Sequence, residues 1–417
     1  MKKLLALLLS FVLVFSFAAC KGDEGEMGSS SSSGSAQTGA SASDTSSQPA
    51  KDVFADDYTY GTTPAAARNL NNTAYKLKNE KELNVVFYGG SITHGQGASN
   101  SNLESGTSWA ALTTQWLKTQ YPSAKINAVN KSIGGTGSML ALMRYERDVK
   151  SQNPDLIFID YAINDKYQGF SKDQSAYTME TLIKCINSDF PTADIVIVLT
   201  TDQSEVGKDY EQLLAHKAVA DYYGIPCINV GTALNTALSG GKQWSDYVTD
   251  SVHPNDAGYK IYADAVTAEL GKLLPSSPSA AKNQTLPKTD YLSNVSDSIT
   301  VTYAADIKHD GNWKLAKTSN VNSILKTQTL IPTKSGAEIV IEFEGSAIGL
   351  AVESRSSCKG TVTIDGTETR EIVHRKTGTD IERIVFENLS EGKHTAVISY
   401  EYEGTARFGI GAIYIGH

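Results

Sequence analysis

The chain has 417 residues and a net charge of −9, with 37 Lys and Arg against 46 Asp and Glu. That balance argues against nucleic-acid binding, because a phosphate backbone must be met by a positive field. Hydrophobic content of 40% and charged content of 20% describe an ordinary globular protein, neither disordered throughout nor built of membrane spans. The four cysteines (Cys20, Cys185, Cys227 and Cys358) are too scattered for a disulfide scaffold, and none has a CxxC zinc spacing.

The N-terminus reads Lys2-Lys3, an apolar run from Leu4 to Phe17, then Ala18-Ala19-Cys20. A basic start, a short apolar stretch and a small-residue cleavage site make a secretory signal over residues 1–19. The run is shorter than the roughly 20 apolar residues a membrane span needs. Cysteine directly after Ala-Ala resembles a bacterial lipobox, in which the thiol is lipidated. Cys20 is therefore the expected lipidation site, anchoring the chain to the outer face of the cell membrane. Residues 20–51 are dominated by Ser, Gly, Ala and Thr, with an unbroken Ser29–Ser33 run. Such a segment buries too little apolar surface to fold and is expected to act as a tether.

Between 52 and 274, apolar runs alternate with amphipathic stretches. The runs are Leu83–Tyr88, Ile126–Val129, Leu156–Tyr161, Ile195–Leu199 and Cys227–Val230. The stretches between them include Ser108–Gln120, Ser171–Asn187, Tyr210–Tyr223 and Asp256–Leu273. Continuous apolar strands separated by helices predict an α/β domain with a doubly wound parallel sheet, whose sites form outside the carboxyl ends of the strands. Residues 275–289, opening Pro275-Ser-Ser-Pro, read as a linker. From 290 to 417 the pattern turns to period-two alternation, as in Ala337–Phe343. Thr361–Ile364 leads into Asp365-Gly366, a strong hairpin signal. Short strands with no convincing helix predict a C-terminal β-sandwich.

The first strand runs straight into Gly89-Gly90-Ser91-Ile92-Thr93. A serine flanked by glycine just past a strand end is where an α/β protein exposes a nucleophile, although the same residues also suit a capping serine in a tight turn. Asp250-Ser-Val-His253-Pro254 supplies the complement. A carboxylate three residues before a histidine can accept from Nδ1, leaving Nε2 to take a serine proton. Either block alone is weak. Together they make a nucleophile, a base and an orienter.

There is no G-x-S-x-G elbow around Ser91, which separates the pattern from α/β-hydrolases. Instead the chain from about Leu83 to Leu274 resembles the SGNH, or GDSL-like, hydrolase superfamily in four ordered blocks. These are Gly89-Gly90-Ser91-Ile92-Thr93, Asn130-Lys-Ser-Ile-Gly134-Gly135-Thr-Gly137, Ala162-Ile163-Asn164-Asp165 and Asp250-Ser-Val-His253-Pro254. The resemblance implies a Ser91, His253 and Asp250 triad. It also implies an oxyanion hole made by the Ser91 N–H, the Gly135 N–H and the Asn164 side chain, with Gly134 able to replace Gly135. Asp165 is expected behind these donors. The family's commonest first block has aspartate before the serine, where this chain has Gly90. The Gly-Gly-Ser-Ile-Thr variant resembles branches acting on acetylated carbohydrates.

The expected activity is an extracellular serine esterase removing short acyl groups, O-acetyl above all, from acylated polysaccharide, with no cofactor and no metal. The alternatives are a lipid-directed esterase and a non-catalytic carbohydrate-binding lipoprotein. Segments of the C-terminal part look similar to jelly-roll modules that accompany carbohydrate esterases. Trp313, Tyr400, Tyr402 and Tyr414 suit a β-core better than a sugar platform. Arg144 and Arg147 are expected to pair at the surface with Glu146 or Asp148, His94 to be a loop histidine, and Cys185 and Cys227 to be buried. His374 and His394 have no evident partners in the sequence.

Overall fold

The computed structural model describes residues 58–417 except 294, 318–322, 355–357, 373–382, 388, 391 and 403–407. The leader, Cys20, the 20–51 tether and His374 lie outside the described residues.

Five strands form a parallel sheet: β1 (Glu82–Gly89), β2 (Lys125–Asn130), β3 (Leu156–Asp160), β4 (Asp194–Leu199) and β5 (Cys227–Asn229). Their order is β2-β1-β3-β4-β5. The chain reverses its direction of travel across the sheet between β1 and β3, so this is the switch point where a crevice opens. Register places Gly89 opposite Asp160 there, bringing two strand ends side by side. β3 and β4 are buried at every position, which is why they read as unbroken apolar runs.

The principal helices are α1 (Trp109–Gln120), α2 (Ser138–Asp148), α3 (Ala162–Gln168), α4 (Lys172–Asp189), α5 (Glu211–Tyr223), α6 (Val230–Ser239) and α7 (Asp256–Leu273). Their starts follow side-chain chemistry. Ser108 accepts from Ala111 N, Ser171 and Gln174 form a reciprocal capping box, and Asn255 accepts from Gly258 N. The expected α/β class is what the structure shows.

The C-terminal strands are β6 (Ile299–Tyr303), β7 (Trp313–Ala316), β8 (Thr329–Pro332), β9 (Ala337–Glu344), β10 (Ala347–Ser354), β11 (Lys359–Ile364), β12 (Glu368–Ile372), β13 (Arg383–Phe386), β14 (Lys393–Glu401) and β15 (Phe408–Gly416). They make one sheet ordered β13-β10-β15-β8-β7, with β6 also on β15, and a second ordered β12-β11-β14-β9. The β11–β12 hairpin turns through Asp365 and Gly366, both at positive φ (52° and 67°), as an Asp-Gly turn requires.

β15 is buried along its whole length because both of its faces are covered. Ala412 and Tyr414 join the α/β core, whereas Phe408, Ile410, Ile413 and Ile415 join the core between the two sheets. The change of parity comes from a bulge. Ala351 pairs with Ala412 but Val352 pairs with Ile410, so Gly411 is the extra residue. Small side chains at Ala347, Ala351 and Ala412 let the sheet approach the helices closely. Tyr303 Oη donates to Met143 O (2.8 Å), and Tyr177 Oη lies 2.7 Å from Ser296 Oγ. Residues 58–417 thus pack as one compact unit.

Three expectations change. Arg144 is fully buried rather than superficial: α2 is covered by the parallel sheet on one side and the antiparallel sheet on the other. Its guanidinium donates to Asp148 Oδ2 (2.7 Å), Lys131 O (3.0 Å) and Tyr161 Oη (3.0 Å), and lies 4.9 Å from the centre of the Tyr88 ring. His394 is partnered after all, by Asp365 Oδ2 and Ser390 O, each at 2.7 Å. Cys185 is buried as expected, but Cys227 is only half-buried.

Candidate active site

The four sequence blocks meet at the carboxyl ends of β1 and β3. Ser91 opens a single helical turn, Ser91–His94, directly after β1. Several bonds from beneath fix that turn. Thr93 Oγ1 donates to Asp160 Oδ2 (2.7 Å), and Asn130 Nδ2 donates to Thr93 O (2.7 Å). Tyr259 Oη on α7 reaches Ile92 O (3.0 Å) and Gln96 O (2.6 Å). Burial pushes the Asp160 carboxyl up to about 6, against the pull of the Thr93 and Thr200 hydroxyls that bond it.

His253 Nε2 lies 2.8 Å from Ser91 Oγ, and His253 Nδ1 lies 2.7 Å from Asp250 Oδ2. The other carboxylate oxygen of Asp250 accepts the backbone N–H groups of Val252 (2.7 Å) and His253 (2.8 Å). Partial burial opposes ionisation of Asp250. The bonds from the His253 ring and from those two amides outweigh it and hold the carboxyl below its usual value. Trp244 Nε1 donates to Asp250 O (2.6 Å), and Thr249 N donates to His253 O (2.8 Å), so the Asp-His segment is braced at both ends.

Of the two adjacent glycines in the second block, Gly134 lies against the nucleophile: a Cβ there would stand 3.4 Å from Ser91 Cβ. Gly135 adopts a left-handed turn (φ 74°), and its carbonyl accepts from Gln168 Nε2 (2.9 Å). Asn164, in the first turn of α3, is buried beside Gly90. The arrangement therefore offers a hydroxyl bonded to an imidazole, an orienting carboxylate behind it, and a glycine and a buried asparagine beside the serine. That is the equipment of acyl transfer.

Asp165 ties the glycine and asparagine blocks together. Its Oδ1 accepts from Ser138 N (2.7 Å), the first amide of α2, just past the glycine block. Its Oδ2 accepts from Ser138 Oγ (2.7 Å) and Ser175 Oγ (2.8 Å), and lies 3.0 Å from His216 Nε2. All four residues are buried. One carboxylate thus fixes α2, α3, α4 and α5 to one another.

His94 ends the nucleophile turn as an exposed residue. Trp313, Tyr400 and Tyr414 are buried, which leaves no exposed platform among those three. Sequence reasoning missed Tyr167, Asp202 and His216, because each acts through a partner remote in the chain, and Trp244, because its bond to the Asp250 carbonyl six residues on has no motif to mark it. Among the described residues, no cluster of His, Cys, Asp or Glu could hold a metal ion.

Residues 87–261 match the GDSL-like Lipase/Acylhydrolase family. An acetylxylan esterase of Geobacillus stearothermophilus is 27% identical over 212 residues, which cover 45% of this chain and 93% of that protein. A two-domain esterase active on acetylated mannans has a similar fold, with a TM-score of 0.68 and 19% identity over 85% of this chain and 97% of that one. Its structure with mannopentaose gives a TM-score of 0.67 and 20% identity, covering 85% of this chain and 96% of that one.

Proposed function

From the match of residues 87–261 to the GDSL-like lipase/acylhydrolase family, and with the chain a carboxylic ester hydrolase, we propose that it removes O-acetyl groups from polysaccharide by a Ser-His-Asp mechanism. One observation carries the mechanism, the unbroken line of bonds from Ser91 Oγ through His253 to Asp250. The named activities of its relatives, on acetylated xylan and acetylated mannan, support the substrate class.

Ser91 Oγ attacks the acetyl carbonyl while His253 Nε2 takes its proton. The carbonyl oxygen becomes an oxyanion held by the N–H of Ser91, the N–H of Gly135 (or its neighbour Gly134) and the Asn164 amide. Each such donor is typically worth about 2.7–4 kcal/mol of barrier. Collapse breaks the ester bond, and His253 returns the proton to the departing sugar hydroxyl. Water, deprotonated by His253, then attacks the acetyl-serine and releases acetate. Asp250 stays ionised throughout and stabilises the imidazolium.

The same proposal puts the enzyme outside the cell on a lipid anchor at Cys20. The basic start, the apolar run and Ala18-Ala19-Cys20 support it. A Cys20→Ser chain that still partitions with membranes would refute that part.

The activity is tested by acetate release from acetylated xylan, acetylated mannan and a long-chain ester, with Ser91→Ala as control. Serine-dependent acetate from a glycan is the expected result. Hydrolysis confined to the long-chain ester, or full turnover by Ser91→Ala, would overturn the proposal.

A further inference from the structure

Among the described residues, most aromatic side chains are buried, and only Tyr60 and Tyr167 stand out as exposed ones. Tyr167 is 45% exposed. It lies on α3, three residues after Asn164, so the two share one face of the helix at the carboxyl end of β3.

Its phenol is nonetheless fixed. Tyr167 Oη donates to Asp202 Oδ2 (2.8 Å), and that buried carboxylate also takes Lys166 Nζ (2.9 Å) and Ser204 Oγ (2.7 Å). Lys166 Nζ also stands 5.6 Å from the Tyr167 ring centre. The Asp202 loop is joined to the Asp-His segment by Gln203 N donating to Ser251 O (2.9 Å). Asp250 is close enough to be among the charges that hold the Tyr167 hydroxyl in its protonated form, after burial and the Asp202 contacts. Tyr167 therefore stands at the rim of the catalytic crevice, between the Asn164 donor and the Asp250 loop.

A single exposed aromatic is common, and Tyr60 likewise has its phenol on a carboxylate; what sets Tyr167 apart is an anchored ring at the crevice. The same features suit binding, because a ring ordered beforehand loses little entropy when a flat apolar face stacks on it. We propose that Tyr167 is a substrate-binding platform on which a pyranose ring of the acetylated chain stacks, beside the sugar whose acetyl group enters the crevice. The inference rests on the glycan reading above and assigns a residue to it.

The test compares kcat/KM for an acetylated xylo- or manno-oligosaccharide with that for glycerol triacetate, an ester without a ring. In Tyr167→Ala the ratio of the two falls about tenfold, mainly through KM for the oligosaccharide, and Tyr167→Trp, which keeps a stacking face without the bond to Asp202, restores part of it. A ratio unchanged in Tyr167→Ala overturns the platform alone, because loss shared equally by both esters is what a purely structural role produces. A wild-type enzyme that takes glycerol triacetate but no acetylated oligosaccharide overturns the glycan reading and the platform together.

Discussion

The side-chain amide of Asn164 occupies the space that a Cβ on residue 90 would need, so Gly90 and Asn164 fit only as a pair. The sequence resemblance made Gly90 a departure, since an aspartate is more usual before the serine. In this chain the missing side chain is what lets the Asn164 amide stand against the nucleophile loop. Gly90 keeps a negative φ of −90°, so the demand is for space and not for backbone freedom.

Gly90→Ala is therefore expected to cost rate far more than stability. The obstructing atoms are the free end of a side chain, which can swing away without disturbing the core. On the proposed mechanism, swinging away removes the Asn164 donor from the oxyanion. kcat on an acetyl ester falls on the order of 10²–10³-fold, while the melting temperature moves little. Steady-state kinetics beside thermal unfolding separate the two, and a kcat within threefold of wild type would refute the pairing.

Asp250→Asn should show that the carboxylate's two ends have different jobs. Asp250 Oδ1 serves the Val252 and His253 amides, and Oδ2 serves the imidazole. An asparagine that keeps its oxygen on the amides must turn its NH₂ toward His253 Nδ1. The imidazole then has to accept there and carries its proton on Nε2, where it cannot take one from Ser91. kcat is expected to drop by about 10²–10⁴ with KM little changed.

Asp165→Asn tests whether the buried carboxylate aligns the donor blocks. Asparagine offers one acceptor where Ser138, Ser175 and His216 converge on two oxygens, and its NH₂ faces donors. Stability should fall by about 2–4 kcal/mol, the cost of leaving buried donors unmet. Beyond that, kcat should fall about 10–100-fold at a temperature where the variant is fully folded. A folded variant with wild-type kcat would reduce Asp165 to a packing role.

How much of this was legible in the sequence depended on the range of each contact. Ser91, Asn164, Asp250 and His253 sit in short blocks whose chemistry can be read within a few residues. The strands β3 and β4 betrayed themselves because burial on both faces leaves no polar position. The Asp365-Gly366 turn was visible because two successive positive φ angles favour those residues. Arg144 was misread because nothing in Leu142-Met-Arg-Tyr tells that a second sheet will cover α2. Tyr167 was invisible for a similar reason: its anchor, Asp202, comes from the loop after β4. The bulge that turns β15 over between two cores likewise leaves no local mark beyond Gly411.

Glu387 makes stability pH-dependent in a direction opposite to that of an ion-paired carboxylate. It is buried, its Oε2 lacks a partner among the described residues, and burial pushes its carboxyl from an ordinary 4.5 up to about 9, against the pull of Arg370. The folded state then holds a proton that the unfolded chain gives up between those values. Stability from this group is complete at low pH and is lost as pH rises through the interval from about 4.5 to about 9. Its neighbours Tyr58 and Tyr177 are buried in the α/β core, so the loss falls where the C-terminal strands meet that core. The melting temperature should decline by several degrees between about pH 6 and pH 9. Glu387→Gln, which keeps the shape and cannot ionise, should flatten that slope and leave the acid side untouched. A slope equally steep in the variant would assign the dependence to other groups, with Glu180, which burial pushes up to about 7, the first to test.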